Sequence, residues 1–68
     1  MKLEAAIDAM RDGEKISHEY LLHTQTKSLR IIDGEFVDED GYVLDKLNLM
    51  LRLKSACFND GWYIIEKL

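Results

Sequence analysis

The chain contains no proline and a single cysteine, and no apolar run in its 68 residues approaches the roughly 20 residues that a membrane-spanning helix requires. One cysteine excludes an internal disulfide, and no Cys/His spacing offers a structural zinc. No signal peptide is read at the start, and a lone thiol fits a reducing compartment. Basic residues are outnumbered by acids, giving a net charge of −4. That balance argues against non-specific nucleic-acid binding, because the phosphates would repel the chain. The absence of proline and the ordinary apolar content describe a folded domain rather than a disordered tail.

A length of 68 residues provides for one domain, residues 1–68. A chain this short buries only about 60% of its unfolded surface. With neither disulfide nor metal to compensate, self-association is the remaining way to bury apolar area, and a homo-oligomer is expected.

The most informative stretch is Ser28–Leu44. It holds three β-type runs, Ser28–Ile32, Glu35–Val37 and Tyr42–Leu44, separated by Asp33-Gly34 and by Asp38-Glu39-Asp40-Gly41. Asp-Gly between β-branched and aromatic residues is a hairpin signature, because a type I′ turn needs positive φ at both central residues. Closure there sets Ile31 opposite Phe36, and a four-residue second loop would set Phe36 opposite Val43. Leu29, Ile31, Phe36 and Val43 would then share one face of a meander.

Leu3, Ala6, Ile7 and Met10 follow the i, i+3, i+4, i+7 rule, so residues 2–12 read as an amphipathic helix with Gly13 at its C-cap. Glu14–Leu22 alternates in part and reads as a strand, with His23–Lys27 as a polar loop. Leu47, Leu49, Leu51 and Leu53 alternate strictly. Leucine prefers helices, yet the alternation favours a strand over residues 47–54, with all four leucines on the face that holds Ile31 and Phe36. Ser55–Phe58 forms a single turn, Asn59-Asp60-Gly61 reverses the chain and Trp62–Ile65 closes the sheet. The expected class is α+β, an N-terminal amphipathic helix packed on an antiparallel β-meander sheet.

Candidate chemistry is sparse. Aligning Gly41 with the invariant glycine of an EF-hand loop puts Phe36 and Leu47 at the first and last ligand positions, and neither supplies an oxygen. A solvated turn is the better reading of the acidic loop. His18, His23 and Cys57 lack the spacing of a metal site or a nucleophile with its base. Cys57, between Ala56 and Phe58, reads as a small buried hydrophobe. Trp62 beside Asn59 and Asp60 offers a ring for stacking and polar groups for hydrogen bonds, although a tryptophan filling the core is the commoner use.

Three segments carry a resemblance: Leu3–Ile16, the hairpins of Asp33–Gly41, and the ending Asn59–Glu66. Together they resemble a group of small phage-encoded domains that open with an Ala-rich helix ending in Gly, continue into a basic strand and close on an acidic turn with Trp. The group includes the second type of Thoeris anti-defence protein, which sequesters a cyclic ADP-ribose-type signal, and related anti-CRISPR proteins. The resemblance implies a non-enzymatic inhibitor of bacterial anti-phage immunity, located in the cytoplasm of the infected host and needing no cofactor.

In one form the inhibitor binds a nucleotide-like signal, with Tyr20 or Trp62 stacking and Asn59 and Asp60 supplying hydrogen bonds. In the other an acidic surface of Asp38, Glu39, Asp40 and Asp45 docks on the basic groove of a defence effector such as a CRISPR–Cas component. Neither form involves direct nucleic-acid or membrane contact. A small phage structural or assembly protein without a ligand is the alternative.

Overall fold

The structure, a computed structural model, describes residues 1–66. In chain order the elements are α1 (Leu3–Arg11), β1 (Lys15–His18), a 3-10 turn (Leu21–His23), β2 (Arg30–Ile32), β3 (Glu35–Val37), α2 (Lys46–Leu53), a second 3-10 turn (Ala56–Phe58) and β4 (Trp62–Glu66). The class is α+β, with α1 packed against β1, β2 and β4.

The first helix follows its apolar spacing. Ala6 and Met10 are fully buried, while Glu4 and Arg11 complement the helix dipole. It ends in a Schellman motif: Gly13, at φ +92°, donates to the Met10 carbonyl (3.0 Å), and Glu14 N–H donates to the Ala9 carbonyl (3.1 Å).

β1 follows at once and is bonded on both edges. It pairs antiparallel with β4, from His18↔Trp62 to Lys15↔Glu66 with one irregularity between Lys15 and Ile16. On its other edge Ile16 and Leu29 exchange both backbone hydrogen bonds, at 2.9 and 2.8 Å. Ile16, Ser17 and His18 are all buried, so the partial alternation over residues 14–22 gives a strand only as far as His18.

The Asp33-Gly34 hairpin forms as its sequence dictates. Both residues have positive φ, +52° and +79°, and Ile31 faces Phe36. The second turn differs from expectation by one residue. Val43 bridges Val37 instead of Phe36, and Leu44 N–H bonds the Phe36 carbonyl. The cause is the Asp38 carboxylate, which accepts hydrogen bonds from the N–H groups of Asp40 and Tyr42 (2.9 Å each) and holds a loop one residue longer. A slip of one residue turns a strand side chain over, and Val43 is 59% exposed.

The larger correction is Lys46–Leu53, which is a helix and not a strand. Asp45 caps it, its Oδ1 accepting from the N–H groups of Leu47 (3.1 Å) and Asn48 (3.3 Å). Leucines at every second position also form two i, i+4 pairs, and the fold uses that reading. Leu49 and Leu53 enter the core, whereas Leu47 and Leu51 are 78% and 64% exposed. The four leucines therefore do not share a face with Ile31 and Phe36. The core instead gathers Ala6, Met10, Ile16, Leu21, Leu29, Phe36, Leu49, Leu53, Phe58 and Trp62.

Truncating the leucines one at a time separates the two arrangements. Leu49→Ala and Leu53→Ala are expected to lose about 2–4 kcal/mol each in urea unfolding, by cavity formation. Leu47→Ala and Leu51→Ala should lose less than about 0.5 kcal/mol. Equal costs at all four positions would contradict the helix.

Candidate functional site

Of the residues that carry conventional chemistry, His18 is the most deeply placed. It ends β1 with its ring against Trp62, Phe58 and Tyr20 at centroid distances of 4.9, 5.0 and 5.6 Å. Nδ1 accepts the Tyr20 N–H (3.0 Å), which leaves the proton on Nε2, and Nε2–H donates to the Asp60 carbonyl (2.6 Å). Gly61 lies over the ring, where a Cβ would come within 3.1 Å of Nε2, and its φ of +95° suits glycine. Both imidazole nitrogens are thus engaged, Nε2 holding the 59–61 turn against β1 and Nδ1 the turn that leaves β1 at Tyr20.

That cluster decides the position of the four candidate ligand residues. Trp62 is 2% exposed and its Nε1–H donates to the Phe58 carbonyl (2.6 Å), so its ring belongs to the core and offers no face to a ligand. Tyr20, 52% exposed, is the one ring of the pair at the surface. The Asn59 carbonyl accepts the Leu3 N–H (3.0 Å), and Asp60 Oδ1 accepts the Gly61 N–H (2.7 Å). Cys57, expected inside, is exposed, because the 3-10 turn directs Phe58 inward instead.

The acidic candidates have backbone partners of their own. Asp38 closes the second turn and Asp45 caps α2, as described above. One carboxylate oxygen of Glu39 accepts the N–H groups of Lys27 (2.8 Å) and Ser28 (3.2 Å), tying the turn to the segment that enters β2. Hydrogen bonds from its own N–H and from that of Lys27, with a smaller one from Ser28, hold its carboxyl below the ordinary value of 4.5 despite partial desolvation. Asp40 is exposed beside them. Three of the four acids thus have a structural role within the fold.

A different concavity lies between α1 and α2 over the first hairpin. Its volume is about 390 Å³, with Ile7, Ile31, Phe36 and Met50 lining it and Arg11 and Lys46 alongside. No motif announces it, since it exists only once residues 46–53 are helical. A helical reading of the leucine spacing would have brought Met50 and Lys46 to it. Among the described residues no group of three His, Cys, Asp or Glu side chains is placed to hold a metal ion, and no helix is long and apolar enough to cross a membrane. No family model, curated protein or solved structure matches the chain.

Two substitutions test these assignments. His18→Phe keeps a ring in the cluster but strands the Tyr20 N–H and the Asp60 carbonyl, so thermal or urea unfolding should show a loss of about 1–3 kcal/mol. Glu39 titrates lower in the native state than unfolded. Its contribution is therefore complete above pH 4.5, the ordinary value, and disappears as pH falls through the lowered native one. Glu39→Gln should lower stability at neutral pH by about 1 kcal/mol and flatten the decline on acidification. An unchanged acid profile would remove the clamp.

Proposed function

We propose that this chain is a non-enzymatic binding protein of the kind that phages use to inhibit bacterial anti-phage immunity, and that it acts by occupying a defence effector protein. The observation that carries the binding role is the exposure of Leu47 and Leu51 on α2, beside the groove that Ile7 and Met50 line. Contiguous exposed apolar surface of this kind marks an interaction site. The resemblance in residues 3–16, 33–41 and 59–66 supports the immune-evasion setting. The form that sequesters a nucleotide-like signal is less favoured, since of its two candidate stacking rings Trp62 lies in the core and only Tyr20 is at the surface. Docking shifts from the acidic loop to α2, because Asp38, Glu39 and Asp45 are bonded to backbone N–H groups. The proposal includes a homo-oligomer in which a second copy covers Tyr63, Ile64 and Ile65, which β4 leaves at the surface.

Expression in bacteria that carry defined CRISPR–Cas or Thoeris systems should restore phage plating by at least about tenfold in one of them. The variant Leu47→Asp/Leu51→Asp should lose that effect while retaining its circular dichroism and melting temperature. No restoration across the panel would overturn the proposal. Restoration that survives the double variant would move the function away from α2, and calorimetric binding of a cyclic nucleotide would return it to the signal-binding form.

A further inference from the structure

We infer that the groove and the leucine ledge beside it together receive an acidic amphipathic helix of the partner protein, an inference that rests on the protein-binding reading above. In a helix each residue advances 100°, so the positions on α2 can be placed by count. Relative to Met50, which lines the groove, Lys54 stands about 40° round, Leu47 about 60° and Leu51 about 100° on one side, with Lys46 about 40° on the other. The ledge is thus continuous with the groove wall, and a lysine lies toward each end of it.

The charges on this surface run against the rest of the molecule. The chain has a net charge of −4, yet Lys46 and Lys54 have no acidic partner among the described residues. Arg11, across the groove, meets only Asp8 one turn back on its own helix, in an exposed pair at 3.3 Å that holds it weakly. The acid nearest on α2, Asp45, has both carboxylate oxygens bonded at the helix N-terminus. Asp33 lines the far, hairpin side of the groove. A positive rim around apolar residues selects acidic partners and penalises basic ones. It also disfavours this face pairing with itself, since two copies of α2 would bring their lysines together.

Shape narrows the occupant further. A groove of about 390 Å³ is at the small end of ligand sites, with room for one or two anchoring side chains. The apolar surface continues past it along Leu47 and Leu51. An occupant that uses both must present apolar residues about one turn apart, which is the pattern of a helix laid in a groove. Its acidic flanks would face Lys46, Lys54 and Arg11.

The test uses the intact chain and three labelled helical peptides of about four turns. Two carry Leu and Phe anchors at i, i+4 and i+7, one flanked by Glu and one by Lys; the third is a scrambled version of the Glu peptide that loses the spacing. Fluorescence anisotropy should show the Glu-flanked peptide binding at least roughly tenfold tighter than either control, and weakening as salt is added. Amide and methyl NMR shifts should map to Ile7, Ile31, Leu47, Met50 and Leu51. Lys46→Glu/Lys54→Glu, on exposed positions, should reverse the charge preference, and Leu51→Asp should weaken binding by roughly tenfold. Equal binding of the Glu- and Lys-flanked peptides, shifts mapping elsewhere, or NMR evidence that a second copy of the chain covers Leu47 and Leu51 would overturn the inference. Restored phage plating without selective peptide binding would sink this inference alone. Selective peptide binding without plating would sink the immune-evasion reading and leave the groove's specificity standing.

Discussion

The structure depends on β1 being hydrogen-bonded along both of its edges. Four residues, Lys15–His18, join the closing strand β4 on one side and reach Leu29 on the other, so that the β1–β4 pair and the β2–β3 hairpin share one core. Ser17, although polar, is fully buried there because its hydroxyl donates to the Lys27 carbonyl (2.7 Å). His18 is buried for the same reason, with a backbone partner at each ring nitrogen. Each of these polar contacts ties a loop to the strand, so β1 fixes the positions of segments that have no regular structure of their own. In a chain with no disulfide, that sharing of one strand takes the place of a covalent staple.

A consequence follows for chemistry. Several of the side chains that could have carried a reaction or gripped a ligand through polar atoms have a structural partner. His18 locks the Asp60 turn, Glu39 clamps the approach to β2, Asp38 sets the length of a loop and Asp45 begins α2. Leu47 and Leu51, with Lys46 and Lys54 beside them, have no such partner among the described residues. The binding reading therefore stands on different residues from those that Trp62 and the acidic loop first suggested.

Much of this fold was legible in the sequence, and the exceptions have specific physical causes. The spacing of Leu3, Ala6, Ile7 and Met10, closed by Gly13, allows only a helix of one register. Asp33-Gly34 likewise fixes a type I′ turn and with it the pairing of Ile31 and Phe36. Leucine at every second position is ambiguous, because the same spacing that alternates along a strand supplies two i, i+4 pairs on a helix. Asp45, an N-cap residue ahead of a run of good helix formers, was the local feature that could have settled it. The slip at Val43 follows from one carboxylate capturing two backbone N–H groups, a contact that pattern-reading does not weigh. The Glu39 clamp joins residues 11 and 12 positions apart and is a tertiary contact with no local trace. The groove was hidden for the same reason as α2 itself.

The choice of residues on α2 separates a structural requirement from a functional one. Helix formation there needs Asp45 at the cap and apolar side chains at 49 and 53, and both conditions are met whatever occupies 47 and 51. Glutamate or lysine at those two positions would be as helix-favouring as leucine and better solvated. Burying a leucine side chain is worth about 1.5–3 kcal/mol, and at 47 and 51 most of that gain is left unrealised within the monomer. It becomes available only when another surface covers the ledge. Two such residues one turn apart, at the edge of a concave apolar site, have the character of an interface core in which a few anchors carry most of the binding energy. The surrounding lysines add little to that energy but determine which surfaces approach. Apolar anchors for affinity and a cationic rim for selection are what an acidic helix would meet, and folding by itself calls for neither.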